Sequence, residues 1–314
     1  MDFIQKGFTG LTNTWRYLLT ILLVFIGIQI ASIPLVIAAY VQVDGDLEKF
    51  QKGAESSFMN IGMNSSLYLF LMIFTFMIGL LTLFLCVKYM HKKKFVSIVT
   101  SREKIDWNRI FYAFVLWGGV SVLSIFIGIY LTPENYTWNF QPIPFFTLLF
   151  VSFVFLPFQT STEELLFRGY LMQGLGTLVK NRWFPLIITS VIFGLLHGMN
   201  PEVERLGYVL MIFYIGTGLL YGITTLMDEG TELALGLHAS NNIVAAFLVT
   251  TDWMVFRTDA LYIDTSEPAV GSEMFVGVFI LYPILLFVFS KKYGWTNWKQ
   301  KLFGKVEIPV IDEE

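Results

Sequence analysis

The chain has 314 residues, of which 55% are hydrophobic and only 14% are charged, and its net charge at neutral pH is −3. Soluble domains carry about 25% charged residues, so the composition excludes a soluble protein and predicts a polytopic membrane protein. No basic surface with interleaved aromatic residues is present, which argues against nucleic acid as a partner. Cys86 is the single cysteine, which excludes a disulfide within the chain.

The predicted fold is all-α, a polytopic transmembrane helical bundle of about eight spans. A helix needs about 20 apolar residues to cross the hydrocarbon core of a bilayer, and uncharged runs of about this length recur along the chain. We predict spans at roughly 17–41, 67–87, 110–131, 143–161, 183–199, 206–227, 233–250 and 274–290. The seventh span is the most polar, and it contains His238.

The distribution of Lys and Arg predicts that both termini are cytoplasmic. Of the 21 Lys and Arg residues, all but Lys49, Lys52, Arg205 and Arg257 fall on the side of the membrane that holds the termini. An excess of Lys and Arg marks cytoplasmic loops. The short loops are compatible with a bacterial protein, and we expect an integral protein of the plasma (inner) membrane of a bacterium.

The sequence divides into three regions. Residues 1–142 are predicted to form N-terminal membrane helices, residues 143–250 a core with all candidate functional groups, and residues 251–314 a final span with a basic cytoplasmic tail. Small residues allow close helix packing in membranes. In the first region this predicts close contacts at Gly79, Gly118, Gly119 and Gly128.

The first polar motif is T-E-E-L-L-F-R-G, which contains Glu163, Glu164 and Arg168. Ionisable residues in apolar segments are costly, so they usually face each other or a polar cavity. Glu164 and Arg168 are four residues apart and share a helix face, which predicts an ion pair that supports the site or only joins two helices. Glu163 points about 100° away. It is therefore free to act as a general base.

Two histidines lie in the same region. His197 ends the apolar run V-I-F-G-L-L-H, and His238 is followed four residues later by Asn242. On a helix, His238 and Asn242 share a face, and both side chains can donate a hydrogen bond to a developing oxyanion. The third histidine, His91, precedes three lysines. It is expected to be a solvated surface residue.

These groups predict a hydrolytic site. Glu163 and His197 would activate a water that attacks an amide carbonyl, while His238 and Asn242 stabilise the oxyanion. This chemistry requires no cofactor, but two His and one Glu also form zinc sites, so zinc stays an alternative although H-E-x-x-H is absent. Ser240 lacks the G-x-S-x-G context of a serine nucleophile. The predicted spans contain no Asp for an aspartyl dyad.

Three motifs in this order resemble those of the CAAX protease and bacteriocin-processing (Abi) family of intramembrane proteases, which includes the Ras-converting CAAX endopeptidases. The family pattern is E-E-x-x-x-R, then F-x-x-x-H, then H-x-x-x-N or H-x-x-x-D. Here all motif positions are filled, by Glu163, Glu164, Arg168, Phe193, His197, His238 and Asn242. The resemblance covers about residues 143–250.

The resemblance implies an intramembrane endopeptidase of the glutamate type or a metal-dependent one. Glu163 would be the base, His197 its partner on water, His238 and Asn242 the oxyanion hole, and Glu164 and Arg168 supporting residues. The expected partners are the lipid bilayer and a membrane-embedded or lipidated peptide or protein. In a bacterium, prenylated CAAX proteins would not be the expected substrate.

Two other classes of function compete with this interpretation. Some members of the family are described as immunity or scaffold proteins, so a non-catalytic membrane protein of that kind is the main alternative. A transporter with a proton relay would have polar residues in both halves of the chain. Here the polar membrane residues cluster in one half.

The depth of the motifs raises a geometric question. A simple eight-span arrangement places Glu163 near the cytoplasmic face and His197 near the far end of its span. A long, tilted helix through the first motif, or a partial hairpin at residues 163–182, would bring the two residues to a similar depth.

Overall fold

The computed structural model describes residues 1–255 and 257–309, and its secondary structure is helical with almost no strands, which confirms the all-α prediction. The last residues of the predicted tail, 310–314, lie outside the described part. The principal helices are α1 (Thr14–Gln42), α2 (Leu47–Glu55), α3 (Ser65–Met90), α4 (Trp107–Leu131), α5 (Pro142–Val179), α6 (Trp183–Met199), α7 (Tyr208–Asp228), α8 (Glu232–Phe247), α9 (Met274–Tyr293) and α10 (Trp298–Phe303). Short helical turns occur at Gln5–Phe8, Val96–Val99, Pro133–Asn135 and Pro201–Leu206.

All eight predicted apolar segments are mainly helical, although the seventh ends in the short strand Val249–Thr250. Within the described residues, six helices are long and apolar enough to cross a membrane: α1, α3, α4, α5, α7 and α9. The other two are shorter: α6 is counted among the shorter apolar helices, and α8 has 16 residues. Most of α8 is buried by its neighbours, so it is a core helix of the bundle. The predicted number of about eight spans is therefore approximate.

The loops alternate between two ends of the bundle. At one end, the Gln5 side chain donates to the carbonyl of Glu307 at 3.1 Å, so the two terminal segments lie together. At the other end, Asn139 donates to the carbonyl of Ala260 at 3.0 Å. Three short strands there, β1 (Tyr136–Trp138), β2 (Val249–Thr250) and β3 (Tyr262–Asp264), form a sheet in the order β1-β3-β2. β3 is antiparallel to β1 and parallel to β2. The cytoplasmic location of the termini stays a prediction.

The first motif lies in one continuous helix, the 38-residue α5. Its backbone changes from α-helical to π-helical at Leu165–Leu171, directly after Glu164, and then returns to α-helical. π-Helical turns inside α-helices often accompany functional sites. The structure thus adopts the long helix rather than the partial hairpin.

The environment of His91 differs from the expectation. The prediction of a solvated surface residue is wrong, because the His91 side chain is fully buried. Its Nδ1 bonds to the carbonyl of Leu11 at 2.8 Å, and its Nε2 bonds to the hydroxyl of Tyr170 in α5 at 2.6 Å. Burial lowers the pKa of His91 and also lowers the pKa of neighbouring Lys93 to about 8. The N-terminal segment folds over both residues, a long-range contact that the local basic sequence does not reveal.

Only part of the predicted glycine packing is present. An added Cβ at Gly79 would lie 3.0 Å from Ile28 of α1, and one at Gly118 would lie 2.6 Å from Ser240 of α8, so both glycines are at helix contacts. Among the described residues, Gly119 has nothing within 4 Å of the added atom, and the one atom near that of Gly128 is the Tyr136 hydroxyl at 3.4 Å. The prediction is wrong for these two because they point away from neighbouring helices.

A closer helix contact occurs at Gly236, where α8 lies against α4. A Cβ there would be 2.2 Å from the carbonyl oxygen of Ile110, and a backbone atom cannot move aside cheaply. We expect Gly236→Ala to lower the free energy of unfolding by about 1–3 kcal/mol, as overpacking does in protein cores. The measurement is the midpoint of thermal unfolding in detergent. Gly119→Ala is the matched control and should leave the midpoint unchanged, and a Gly236→Ala midpoint equal to that control would contradict the described packing.

Candidate active site

Glu164 and Arg168 form a buried ion pair in α5, in the i, i+4 relation that the sequence predicts. The Arg168 guanidinium donates to Glu164 Oε1 at 3.0 Å, and neither side chain is exposed. Arg168 also donates to the carbonyl of Gly218 in α7 at 3.1 Å, and it lies 4.2 Å from the ring centroid of Phe193 in α6. The pair therefore joins α5 to both α6 and α7.

Glu163 faces away from Arg168 and is partly exposed, with 13% of its side chain accessible. Its Oε1 accepts a hydrogen bond from Gln159, one turn earlier in α5, at 3.0 Å. Its Oε2 lies 3.8 Å from His238 Nε2, beyond direct hydrogen-bond distance. One carboxylate oxygen is thus fixed by the helix, and the other faces an imidazole.

His238 lies between the two carboxylates. Its Nδ1 is 2.8 Å from Glu164 Oε1, and because an ionised carboxylate only accepts, Nδ1 must donate the proton in this bond. The Tyr221 ring of α7 stacks on the imidazole, with centroids 5.1 Å apart. The orientation of His238 is therefore fixed by a carboxylate and an aromatic ring, and its Nε2 points toward Glu163.

His197 lies at the end of α6 and is held differently. Its Nδ1 bonds to the carbonyl of Phe193, one turn earlier, at 2.8 Å. A carbonyl oxygen is an acceptor, so Nδ1 donates, and in the neutral imidazole Nε2 then carries the lone pair. The Tyr214 ring of α7 stacks on His197, with centroids 4.5 Å apart and an interplanar angle of 21°. In the described chain, His197 makes no hydrogen bond to Glu163.

Phe193 lies between the two histidines. Its ring centroid is 4.8 Å from that of His197 and 5.8 Å from that of His238. The Arg168 guanidinium lies 4.2 Å from the centroid of the same ring, which is a cation–π geometry. The aromatic position of the F-x-x-x-H motif is thus a packing centre that sets the spacing of both imidazoles and the guanidinium.

Asn242 follows His238 by one turn of α8 and is largely buried. Its Oδ1 accepts a hydrogen bond from Asn241 at 3.2 Å, and Asn241 Oδ1 accepts one from the Trp117 indole of α4 at 3.3 Å. Within the described residues, the Asn242 amide nitrogen donates no hydrogen bond. It is available as a donor to a ligand.

Several of these neighbours were not identified from the sequence: Gln159, Tyr214, Tyr221, Trp117 and Asn241. Gln159 had a detectable signal, because it is an amide within the apolar run predicted as the fourth span. The three aromatic residues had no such signal, since the membrane helices contain many aromatic residues.

Ser240 packs on Gly118, and its hydroxyl has no hydrogen-bond partner among the described residues. It therefore has no histidine to activate it.

The zinc alternative requires several ligands at one point. Among residues 1–255 and 257–309, no group of three or more His, Cys, Asp or Glu side chains is arranged to hold a metal ion. The expectation that no cofactor is required stays a prediction, and the chemistry proposed below is assigned to the side chains alone.

Comparison with known proteins agrees with the motifs. Residues 142–244 match the family model for the type II CAAX prenyl endopeptidase Rce1-like family, which confirms the resemblance predicted from the sequence. An uncharacterized protein of Bacillus subtilis (strain 168), YyaK, is 32% identical over 167 residues. These residues are 53% of this chain, and the chain spans about half of this relative's length, 56%. No solved structure matches the chain.

Proposed function

Residues 142–244 match the model of the type II CAAX prenyl endopeptidase Rce1-like family, and on this premise we propose that the protein is an intramembrane endopeptidase. It would hydrolyse a peptide bond of a membrane-associated or lipidated protein or peptide. The observation that carries the proposal is the position of His238, which is held by Glu164 at 2.8 Å and faces Glu163 at 3.8 Å. Such a set of oriented carboxylates and imidazoles is typical of acid–base catalysis.

In the first step a water molecule loses a proton to Glu163 and attacks the carbonyl carbon of the substrate. Glu163 suits this role because Arg168 does not neutralise it and because Gln159 fixes one of its oxygens at 3.0 Å. The free Nε2 of His197 can accept the second hydrogen bond of the same water. His197 would thereby orient the water for attack.

The attack produces a tetrahedral intermediate with a negatively charged oxygen. His238 Nε2 and the Asn242 amide are donors on one face of α8, and a pair of such donors stabilises an oxyanion. Donation from Nε2 requires a proton on both nitrogens of His238.

Collapse of the intermediate completes the reaction. The carbon–nitrogen bond breaks, its electron pair stays on the nitrogen, and the proton taken by Glu163 is transferred to that nitrogen. The products are a carboxylic acid and an amine, which together contain the atoms of the peptide and one water. Glu164 and Arg168 have a positioning role in this scheme, because Glu164 holds the ring of His238.

The proposal is tested with purified protein in detergent, a quenched prenylated peptide and the matched peptide without the prenyl group. We expect cleavage of the peptide bond, and the comparison of the two peptides measures whether a lipid group contributes to substrate binding. Elemental analysis of the same sample measures bound metal. Stoichiometric zinc would contradict the metal-independent scheme, and the absence of cleavage across a panel of lipidated and transmembrane peptides would favour the immunity or scaffold function.

A further inference from the structure

Glu202 is a buried carboxylate outside the three motifs. It lies in the short helix Pro201–Leu206, between α6 and α7, and is 4% exposed. Three donors surround it: the Asn200 amide at 3.0 Å, the Tyr214 hydroxyl, and the backbone N–H of Val255 at 3.1 Å. A buried carboxylate is costly unless its oxygens are hydrogen-bonded, and here both oxygens accept.

One of these donors connects Glu202 to the candidate active site. Tyr214 uses its hydroxyl to bind Glu202 and its ring to stack on His197, with centroids 4.5 Å apart. The opposite constraint on His197 is the bond from its Nδ1 to the carbonyl of Phe193 at 2.8 Å. The edge of the imidazole is thus fixed by α6, and its face is fixed by a tyrosine whose own position depends on Glu202.

We propose that Glu202 is a positioning residue that acts through Tyr214 to set the orientation of the His197 imidazole. The contribution to catalysis rests on the proposed function, in which His197 Nε2 orients the attacking water. The geometric part does not, because the order of the imidazole is a property of the protein without substrate. Small misplacements of a catalytic group can reduce a rate by about 10²-fold, so the orientation of this ring matters for turnover.

A purely structural role is the competing explanation, since Glu202 also joins the loop before α7 to the loop after α8 through Val255. The two roles differ in what they predict for Tyr214. A loop anchor requires only the carboxylate and its donors. A positioning residue requires in addition that removal of the tyrosine ring has the same effect on His197 as removal of the carboxylate.

The test uses four variants. Glu202→Leu removes the acceptor, Glu202→Gln retains one, Tyr214→Leu removes the stacked ring, and Tyr214→Phe removes only the hydroxyl. Glu204→Gln is the matched control, because Glu204 is exposed and lies on the same short helix. The chain has three histidines. Ring-labelled histidine NMR, assigned with His197→Gln, therefore reports directly on the imidazole.

We expect the His197 ring signals to show the shift caused by a stacked aromatic ring and to lose it in Tyr214→Leu and Glu202→Leu. In the same two variants kcat should fall by about 10- to 100-fold with little change in KM. Glu202→Gln and Tyr214→Phe should be intermediate, and Glu204→Gln should match wild type. If Glu202→Leu does not fold, Tyr214→Phe carries the test, because it retains the ring and changes one hydroxyl.

Unchanged His197 signals in a folded Glu202→Leu protein would overturn the proposal, whatever Tyr214→Leu shows. Failure of the proposed function is a different result. If the wild-type protein cleaves no peptide, the proposed function fails. The histidine NMR signals of the variants would still test the geometric part, because they are measured without substrate. A cleaving protein whose His197→Ala variant keeps full activity would remove the catalytic contribution of His197 while the shifts persist.

Discussion

Replacement of Glu163 by glutamine is expected to lower kcat by about 10²–10⁴-fold, the usual contribution of a general base, while the protein stays folded. Glutamine has nearly the same volume and keeps an oxygen that can accept the hydrogen bond from Gln159. It cannot take a proton from water. Since Glu163 is outside the ion pair with Arg168 and is partly exposed, its charge is not required for folding. Initial rates with the quenched peptide give kcat, and thermal unfolding in detergent reports on the fold.

Glu204→Gln is again the control, because it removes a carboxylate from an exposed position. It should have wild-type activity and an unchanged unfolding midpoint. His197→Ala should lose cleavage in the same way as Glu163→Gln and also stay folded. Full activity in Glu163→Gln would show that another group takes the proton from water, and the assignment of the base would have to be abandoned.

The sequence predicts the helices and the Glu164–Arg168 pair because both depend on local patterns. Long apolar runs define the spans, and a spacing of four residues places Glu164 and Arg168 on one face whatever surrounds them. The structure shows the pair at 3.0 Å and Glu163 outside it. These features could be predicted because they do not depend on how the helices pack.

The neighbours of each catalytic candidate depend on helix packing and could not be predicted. The sequence pairs Glu163 with His197, whereas the nearer imidazole in the structure is that of His238, 3.8 Å away. The rotation of α8 about its axis decides this, and it places His238 Nδ1 2.8 Å from Glu164 Oε1. The ring of Phe193 then lies between the two histidines. Motif spacing along one chain contains no information about these relations.

The contacts of the N-terminal region also depend on helix packing and could not be predicted from the sequence. The sequence places all candidate functional groups in residues 143–250, yet the buried His91 of the N-terminal region bonds to the hydroxyl of Tyr170. Tyr170 lies in the π-helical turn that also contains Arg168. The first 100 residues therefore support the helix that carries the first motif, although none of their side chains enters the site.

Loss of Arg168 should have a large effect on stability as well as on activity. We expect Arg168→Met to lower the free energy of unfolding by about 3–5 kcal/mol, the cost of leaving one partner of a buried ion pair unpaired. The side chain is fully buried, and its donors reach Glu164 at 3.0 Å and the Gly218 carbonyl at 3.1 Å. Arg168→Lys should recover only part of the stability, because an ammonium cannot reproduce the geometry of the guanidinium fork. The unfolding midpoint and the yield of folded protein measure both effects.

The double variant Glu164→Gln with Arg168→Met separates the structural role of the pair from its role in the site. Neither residue of the pair then carries a charge, so the unfolding midpoint of the double variant should lie above that of Arg168→Met. A double-mutant cycle of these variants gives the coupling free energy between Glu164 and Arg168. Activity should stay low, because His238 then lacks the carboxylate that fixes its ring. Arg205→Met, at an exposed position, is the control for removal of an arginine. If Arg168→Met unfolds at the wild-type midpoint but turns over slowly, the pair acts in the chemistry and does not brace the helices.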